Sequence, residues 1–371
     1  MKAVVIAPRF PWPSHTGERL RATIWLSALA RNADVTLIAP EGQLPDSAKG
    51  VRFVPARRSL MQNVRGAFAV FRRGLPLQCL LSSGYDWRTA VDTAGPHDVT
   101  IVLLSRMHPW VSSLLSGRRV LDGVDSLQRS AGERRKAAAG PMRLLWAFEQ
   151  RRMAKLELGL ASQYDEVIVV SEEETSAFGG GTAISNGVAM NALNGHHRQY
   201  DFGFWGRFPY FANEDATRWL LEEIWPVIRS LRPQSTMIVG GAEASESLVK
   251  RAQRRGVTLV SPIADVPAFA RDIRVALMPV RFGSGQSNKV LEAAEAGCAI
   301  VGTAEAMRGL DPLMRLARVE SNALDFARAA VELIDDEARR ASLAVKLRDA
   351  VEKHYARSGV IEKLASIAED R

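Results

Sequence analysis

The chain has 371 residues, of which 47% are hydrophobic and 24% are charged. This length suits two domains of ordinary size, and the composition is typical of a soluble globular enzyme rather than a disordered or membrane-spanning chain. The two cysteines, Cys79 and Cys298, lie in unrelated segments and indicate neither a disulfide framework nor a metal site. The N-terminus enters a strand without the pattern of a signal peptide, so we expect the protein in the cytoplasm.

The net charge of +8 is uneven along the chain. Residues 1–195 carry 24 Lys and Arg against 17 Asp and Glu, a net +7, whereas residues 196–371 carry 25 against 24, a net +1. A basic first half attracts anionic membrane surfaces and phosphate-rich acceptors. Nucleic acid is a disfavoured partner, because aromatic residues that could stack on bases are not interleaved with the basic clusters.

In the first half of the chain, short apolar runs alternate with helical segments, a pattern typical of α/β domains with parallel sheets. The loop after the first strand carries Gly17, at the turn before a helix that runs to about Arg31. The segment 122–126 follows the fifth strand, so it emerges at the carboxyl edge of the sheet, where open α/β folds bind ligands. We predict the strands over Lys2–Ala7, Val35–Ala39, Val51–Val54, Val99–Leu104, Arg119–Leu121 and Glu166–Val170.

The basic stretch between Arg57 and Arg73 has large apolar residues near helical spacing and arginines on or near the other side. One interpretation is an amphipathic helix that rests on anionic lipid. The other is an ordinary helix that packs on the sheet and exposes a basic face to solvent. The sequence leaves both interpretations open.

Polar residues from 191 to 201 predict a linker, after which a second α/β unit begins. A long helix is expected over Asn213–Leu231, and the chain is predicted to be helical beyond Leu310. The strands of this unit are predicted near Phe202–Gly206, Met237–Gly240, Val257–Val260, Val275–Met278 and Ala299–Val301.

The segment from Val280 to Leu310 carries the strongest functional pattern in the sequence. A loop at 283–285 follows a buried strand, and its small residues let backbone N–H groups approach a ligand oxygen. Asn288 and Lys289 then open a helix, whose first N–H groups favour an anion. Glu292 follows one turn later, where a carboxylate can hold a sugar diol. This order of strand, glycine loop and helix start predicts a phosphate cradle.

The run NKVLEAAEAGCAIVGTAEAMRGL resembles the donor-binding segment of GT-B glycosyltransferases and is most similar to the large retaining family 4. Three further stretches fit the same family: DGVDS at 122–126, AISNGV at 183–188 and FGFWGR at 202–207. The resemblance therefore covers nearly the whole chain. It implies an α/β GT-B fold, in which two Rossmann-like domains with parallel sheets face an interdomain cleft. DGVDS is similar to a run in a bacterial subgroup that assembles exopolysaccharides or other surface glycans.

The resemblance also implies roles for individual residues. Glu292 would bind the ribose of a nucleotide sugar, and Arg207 its diphosphate, a task that suits a permanently charged side chain with several donors. Pro262 and Ile263 would contact the base. As catalytic residues we predict Asp122 and Asp125 on the acceptor side, and Arg207 and Lys289 at the leaving diphosphate. The predicted donor-binding residues are Gly17, Arg207, Pro262, Ile263, Gly283, Ser284, Gly285, Gln286, Asn288, Lys289 and Glu292.

Two positions depart from the family's pattern. No lysine closely follows Arg207, so the second cation of the phosphate site is expected to be Lys289 or Arg281. Ser284 stands where family 4 commonly has the first of two glutamates, which leaves the identity of the transferred sugar open. No Asp-x-Asp motif follows a strand, so we predict no metal requirement and no cofactor, with a nucleotide diphosphate sugar as the donor substrate.

We predict an acceptor-side domain over residues 1–190, a linker over 191–201, a nucleotide-sugar-binding domain over 202–350, and a terminal helix over 351–371 that packs on the first domain. The predicted activity is hexosyl transfer to a hydroxyl of a glycan or lipid-linked acceptor, in the cytoplasm or on the inner face of the cell membrane. Two alternatives stay open. One is a catalytically silent GT-B scaffold that binds a nucleotide or a partner protein, and the other is a nucleotide-sugar epimerase or phosphorylase.

Overall fold

The structure, a computed structural model, describes residues 1–14, 16–193 and 198–369. Its contacts divide the chain into two units. The first contains Met1–Asn186 and the residues from Ser358 onwards, and the second contains Gly187–Arg357. Residues 194–197 of the predicted linker lie outside the described residues. Within the described ranges, no helix has the length and apolar character needed to cross a membrane.

Seven parallel strands form the sheet of the first unit. They are β1 (Lys2–Ile6), β2 (Asp34–Ala39), β3 (Val51–Pro55), β4 (Val99–Leu103), β5 (Arg118–Val124), β6 (Glu166–Val169) and β7 (Thr182–Ala183). Their order is β3-β2-β1-β4-β5-β6-β7, so the strand order reverses between β1 and β4. Along β1, Val5 packs in one buried cluster and Val4 and Ile6 in another. Both faces of the sheet are therefore covered, which explains why its strands are continuous apolar runs.

The helices of the first unit start and stop at residues that favour helix ends. Ser59 and Ser126 accept hydrogen bonds from backbone N–H groups in the first turns of their helices, and Gly74 ends a helix in the left-handed conformation. The helices are α1 (Gly17–Leu29), α2 (Leu60–Arg73), α3 (Leu80–Ser83), α4 (Trp87–Ala94), α5 (His108–Val111), α6 (Leu127–Ala137), α7 (Pro141–Glu157) and α8 (Glu172–Phe178).

The second unit repeats this plan around six parallel strands. The strands are β8 (Tyr200–Trp205), β9 (Met237–Gly240), β10 (Thr258–Val260), β11 (Ile273–Met278), β12 (Ala299–Gly302) and β13 (Arg318–Val319). The helices are α9 (Phe211–Trp219), α10 (Trp225–Leu231), α11 (Glu246–Arg254), α12 (Val266–Arg271), α13 (Asn288–Glu295), α14 (Asp311–Met314), α15 (Ala323–Asp335) and α16 (Glu337–Tyr355). The order β10-β9-β8-β11-β12-β13 reverses between β8 and β11.

The last helix, α17 (Arg357–Glu369), extends into the first unit. Val360, Leu364 and Ala368 are spaced four residues apart, so they share one face of the helix. All three are buried in a core cluster of the first unit. The final segment of the chain therefore contributes apolar packing to the unit that the N-terminus begins.

The α/β class with two parallel sheets is confirmed, and the differences from the sequence prediction are local. The helix predicted over Asn213–Leu231 is interrupted by a π-helical turn at Leu220–Ile224, between α9 and α10. The chain beyond Leu310 is not wholly helical, because Arg318–Val319 forms β13. That strand and β7 have two residues each, too few for an apolar period to be recognised.

The ends of β8 and β9 approach closely at three glycines, Gly206, Gly240 and Gly241. The Gly206 N–H donates to the Gly240 carbonyl at 3.0 Å. A Cβ on Gly241 would lie 1.9 Å from the Gly206 carbonyl oxygen, and backbone atoms cannot move aside as a flexible side chain can.

We therefore expect Gly241→Ala to force the two strand ends apart and to lower the free energy of unfolding by about 1–3 kcal/mol. Thermal and denaturant unfolding measure this change. Gly359→Ala is the control, because a Cβ there meets no atom within 4 Å and alanine favours the helix. Equal stability of the two variants would contradict the close approach of these strands.

Candidate active site

The candidate site lies at the carboxyl edge of the second sheet, where the strand order reverses. β8 and β11 are parallel neighbours, with Phe202 opposite Val275 and Gly203 opposite Ala276. The chain leaves β8 at Gly206 and leaves β11 into the loop that precedes α13. Open α/β sheets bind ligands at such a switch point, because the two loops diverge there and leave a crevice.

Lys289 lies in the first turn of α13 and reaches across the end of β8. Its Nζ donates a hydrogen bond to Asn213 Oδ1 at 2.6 Å and lies 5.5 Å from the centroid of the Phe204 ring. Burial lowers the pKa of Lys289 to about 8, while the nearby Glu292 carboxylate acts in the opposite direction. The ammonium group is therefore held in a poorly solvated position, which strengthens its interaction with any anion that reaches it.

Glu292 follows one turn later on the same helix. Its Oε2 accepts a hydrogen bond of 2.8 Å from Trp205 Nε1, at the end of β8. Burial raises the pKa of this carboxyl above its usual value, whereas the Trp205 hydrogen bond, Lys289 and Arg357 lower it. The tryptophan fixes the carboxylate on one side, which suits a group that must accept hydrogen bonds from a diol.

Gly206 allows these side chains to meet. A Cβ at this position would lie 2.7 Å from Lys289 Cε and 2.8 Å from Asn213 Nδ2. Asn213 also donates from Nδ2 to the Arg207 carbonyl at 2.7 Å, so it ties the end of β8 to the lysine. Asn213 and Trp205 were not identified from the sequence, because their contacts with α13 span 76 and 87 residues.

Arg207 forms a two-pronged ion pair with Glu243. Its Nε and Nη2 donate to the two carboxylate oxygens at 2.8 and 2.9 Å, and the side chains are 50% and 57% exposed. Glu243 has a positive φ of 62°, which is uncommon outside glycine. Because exposed ion pairs contribute little stability, an anionic ligand could replace this carboxylate. Nothing in the sequence marked Glu243 as the partner.

Of the two candidates for the second cation, the geometry favours Lys289 over Arg281. Arg281 donates from Nε and Nη2 to both oxygens of Asp215, at 2.9 and 2.8 Å. Its guanidinium also lies 4.8 Å from the ring centroid of Trp219. The arginine is thus part of the packing of α9.

The glycine loop before α13 is tied to the segment that follows β12. Arg308 Nη1 donates to the Gly283 carbonyl at 2.7 Å, and Gln286 Nε2 donates to the Gly309 carbonyl at 3.0 Å. Gly285 has a φ of 71°, a conformation that favours glycine. The side chain of Ser287 accepts no capping hydrogen bond from the helix that follows.

The remaining predicted donor residues lie along the same edge. Gln286 and Asn288 belong to the loop and first turn just described, together with Ser284. Pro262 and Ile263 follow β10, which is separated from β8 by β9. Pro262 is exposed and Ile263 is half-buried. The structure thus places Arg207, the glycine loop, Lys289 and Glu292 at the switch point, and the predicted base contacts two strands away.

In the first unit, Asp122 is not presented to solvent. It is fully buried; Oδ2 accepts hydrogen bonds from Arg21 Nε at 2.5 Å and Trp25 Nε1 at 2.6 Å, and Oδ1 accepts from the Val124 N–H at 2.9 Å. A carboxylate with its oxygens engaged in this way anchors the end of β5 to α1. We therefore assign it a structural role instead of the predicted contact with the acceptor.

Asp125 is partly exposed in the loop that follows β5. The loop is held by Glu157, which is fully buried and accepts hydrogen bonds from Ser126 Oγ at 2.6 Å and from the Leu127 N–H at 2.9 Å. Burial raises the pKa of Glu157, and these donors oppose the shift. No local pattern identified Glu157 beforehand, because it lies 31 residues from Ser126.

Gly17 begins α1, and a Cβ there would meet no atom within 4 Å. The adjacent Glu18 forms ion pairs with Arg9 at 3.1 Å and Arg106 at 3.0 Å. Burial lowers the pKa of Arg106, and Glu18 opposes this shift. In this structure the Gly17 loop is thus organised by an acid between two arginines rather than by a close approach at the glycine.

Across residues 1–14, 16–193 and 198–369, no group of three His, Cys, Asp or Glu side chains is placed to hold one metal ion. Independence from metal stays a prediction.

Comparisons with known proteins agree with this arrangement. Residues 199–336 match the family model described as glycosyl transferases group 1. The structure resembles HepE from Anabaena, solved with UDP and glucose, with 13% identity, a TM-score of 0.69 and 100% of each chain covered. It also resembles WaaG, a glycosyltransferase involved in lipopolysaccharide biosynthesis, with 16% identity, a TM-score of 0.66 and 100% of each chain covered. No curated protein matches the sequence.

A third similar structure is sucrose-phosphate synthase from Thermosynechococcus elongatus, with 11% identity, a TM-score of 0.72, and 100% of this chain and 98% of that chain covered. The fold is that of the GT-B glycosyltransferases, as the sequence predicted. The class of protein that this fold and the matched domain define is a glycosyltransferase. More particularly, residues 199–336 match the model of the group 1 glycosyltransferase family.

The structural role of Asp122 predicts a loss of stability when its charge is removed. Asp122→Asn leaves the buried Arg21 guanidinium without its counter-charge, and we expect the free energy of unfolding to fall by about 3 kcal/mol or more. Chemical denaturation measures the change. Asp92→Ala, at an exposed position on α4, should stay within about 0.5 kcal/mol of the parent protein. An Asp122→Asn protein of unchanged stability would refute the anchoring role.

Proposed function

We propose that this protein transfers a hexosyl group from a nucleotide diphosphate sugar to a hydroxyl of a glycan or lipid-linked acceptor. The observation that carries the proposal is the pairing of Lys289 and Glu292, one helical turn apart at the start of α13, in a domain of the group 1 glycosyltransferase family. A cation and a carboxylate at this spacing suit the diphosphate and the pentose of one donor molecule.

In the proposed reaction, the bond between the sugar's anomeric carbon and the diphosphate oxygen breaks, and a bond to the acceptor oxygen forms. The electron pair of the broken bond leaves with the nucleoside diphosphate as negative charge, and the acceptor hydroxyl gives its proton to the departing diphosphate oxygen. Lys289 and the backbone N–H groups of the glycine loop stabilise this charge from fixed positions. Arg207 joins them when the diphosphate replaces Glu243 at its guanidinium.

Glu292 accepts hydrogen bonds from the two ribose hydroxyls and so fixes the position of the diphosphate relative to Lys289. Such positioning lowers the activation barrier, because binding has already met the entropic cost of orienting the reacting groups. Asp125 is the remaining acidic candidate on the acceptor side. Retention of anomeric configuration and independence from metal are part of the proposal and rest on the resemblance to family 4.

The donor is proposed to be a uridine diphosphate sugar, because HepE was solved with UDP and with UDP-glucose. The acceptor is proposed to belong to a bacterial surface polysaccharide or glycoconjugate. The basic first half of the chain and the likeness to WaaG support this choice. A cytoplasmic protein that works at the inner face of the membrane fits such an acceptor.

A catalytically silent scaffold is the second candidate, and one observation favours it: Ser284 occupies the position of a family glutamate that contacts the transferred sugar. Incubation with UDP-sugars and no added metal, followed by detection of released UDP, separates the two. Slow release of UDP from one of the UDP-sugars supports the glycosyltransferase hypothesis. Binding of UDP without release from any sugar supports the scaffold.

The role of Glu292 predicts weaker donor binding when the carboxylate is removed. Glu292→Ala deletes two charge-assisted hydrogen bonds to the ribose and should raise the Kd of UDP about 30- to 100-fold, as measured by titration calorimetry. Circular dichroism and unfolding temperature establish that the variant is folded.

Glu223→Ala supplies the matched control, since Glu223 is an exposed glutamate of the same unit. Its affinity for UDP should equal that of the parent protein. Unchanged affinity of a folded Glu292→Ala protein would exclude the proposed ribose contact and with it the geometry of the donor site.

The pKa of about 8 at Lys289 predicts that kcat/KM declines at alkaline pH. Below this pH the side chain is charged and attracts the diphosphate, whereas above it the charge is lost. We expect kcat/KM for the donor to fall as the pH rises through about 8, measured with a UDP-sugar whose diphosphate keeps its charge over this range. In Lys289→Arg the guanidinium stays protonated, so the decline should move to higher pH. If kcat/KM declined at the same pH in both proteins, the decline would belong to a group other than Lys289.

A further inference from the structure

Helix α2 exposes its largest apolar side chains to solvent. Leu60, Val64, Phe68 and Phe71 follow one another at intervals of four, four and three residues, so they form one stripe along the helix. Met61 flanks this stripe. The exposed fraction of these five residues ranges from 60% at Met61 to 85% at Leu60. Single exposed apolar residues are common, but five on one face of a 14-residue helix form an unpartnered surface.

The opposite face of α2 packs on the protein through small and polar residues. Gly66 and Val70 are buried, and a Cβ on Gly66 would lie 2.4 Å from Ser83 Cβ. A Cβ on Gly84 would lie 1.9 Å from Asn63 Oδ1, so the helix approaches this segment closely. The usual orientation of a surface helix is thus reversed. The close approach at the glycines fixes that orientation, because large side chains do not fit there.

A second exposed apolar group lies on the first half of α7. It comprises Met142, Leu144, Leu145 and Phe148, which are between 40% and 75% exposed. The Arg152 guanidinium stacks over one face of the Phe148 ring, 3.9 Å from its centroid.

The chain segment after α2 is bonded directly to α7. Glu149 accepts hydrogen bonds from the Leu77 and Gln78 N–H groups, both at 2.8 Å. Arg152 Nη1 donates to the Leu75 carbonyl at 2.9 Å, directly after the end of α2 at Gly74. The two apolar groups therefore lie on neighbouring parts of the first unit. We call them together the α2–α7 surface.

The exposed charged side chains of α2 and α7 are all basic. Residues 56–85 contain five arginines and no acidic residue. The two acidic residues of α7, Glu149 and Glu157, are buried. The arginines exposed in these two segments are Arg57, Arg58, Arg65, Arg72, Arg73, Arg143 and Arg151.

We propose that the α2–α7 surface docks on an anionic lipid bilayer, with its apolar stripe inserted among the acyl chains and its arginines on the lipid phosphates. Apolar residues with a basic rim are the combination that holds a helix in a bilayer interface. A second copy of the chain is a poorer occupant, because this face would bring two arginine clusters together. The inference concerns a surface of the first unit and does not depend on the activity of the second.

The test is sedimentation of the full chain with vesicles of phosphatidylcholine alone and of phosphatidylcholine mixed with phosphatidylglycerol. We expect binding to the mixed vesicles, weakening as salt is added. The triple variant Val64→Ser, Phe68→Ser and Phe71→Ser should lose about 100-fold in vesicle affinity, because three apolar side chains no longer enter the bilayer. These side chains are exposed, so their truncation leaves the fold intact.

Two variants and one independent readout accompany this measurement. Arg65→Glu with Arg72→Glu should abolish the preference for phosphatidylglycerol. Leu324→Ser with Val345→Ser, at exposed apolar positions of the second unit, should bind vesicles like the parent protein. UDP affinity should be the same in all of them, so failure of lipid binding is distinguished from failure of the donor site.

Three outcomes would overturn the proposal: no binding of the parent protein to mixed vesicles, equal binding to neutral and mixed vesicles, or a triple variant that binds as well as its parent. If vesicles do not bind but the protein dimerises and the triple variant does not, the occupant is a second copy.

Discussion

The second unit is organised around two opposite charges, Lys289 and Glu292, that are held one helical turn apart in half-buried positions. Burial lowers the pKa of Lys289 and raises that of Glu292, so for each group the loss of hydration outweighs the attraction of the other. Such a pair is poorly compensated without a ligand. A diphosphate beside Lys289 would supply the missing interaction of the lysine. Hydroxyl groups beside Glu292 would do the same for the carboxylate, so the site is suited to bind a nucleotide.

This constraint extends into the backbone. Lys289 crosses the end of β8, where only a glycine leaves room for it, and Asn213 holds both the lysine and the Arg207 carbonyl. Trp205 orients Glu292 from the same strand end. The strand, the glycine loop and the helix thus form one assembly, in which the positions of Lys289 and Glu292 are set by hydrogen bonds to neutral side chains.

Acidic residues in the first unit serve a different purpose. Asp122 joins β5 to α1, Glu157 holds the loop that follows β5, and Glu149 holds the segment that follows α2. Each is buried and accepts several hydrogen bonds, which is how a buried carboxylate is usually stabilised. With these three acids buried and a net charge of +7 over residues 1–195, the first unit is basic, and α2 exposes a stripe of large apolar side chains.

The sequence alone determined the α/β class, the positions of most strands, the glycine loop, the start of α13 and the pairing of Lys289 with Glu292 on one helix. These features depend on local patterns: apolar runs, glycine positions, and residues three or four apart. Only the tertiary structure decided that Asp122 is buried, that Glu243 faces Arg207, that Asn213 and Trp205 support α13, and that α2 turns its apolar side outward. The partners in these contacts lie far apart in the chain or depend on which face of a helix packs inward, and periodicity specifies a helix's two faces without saying which of them is buried.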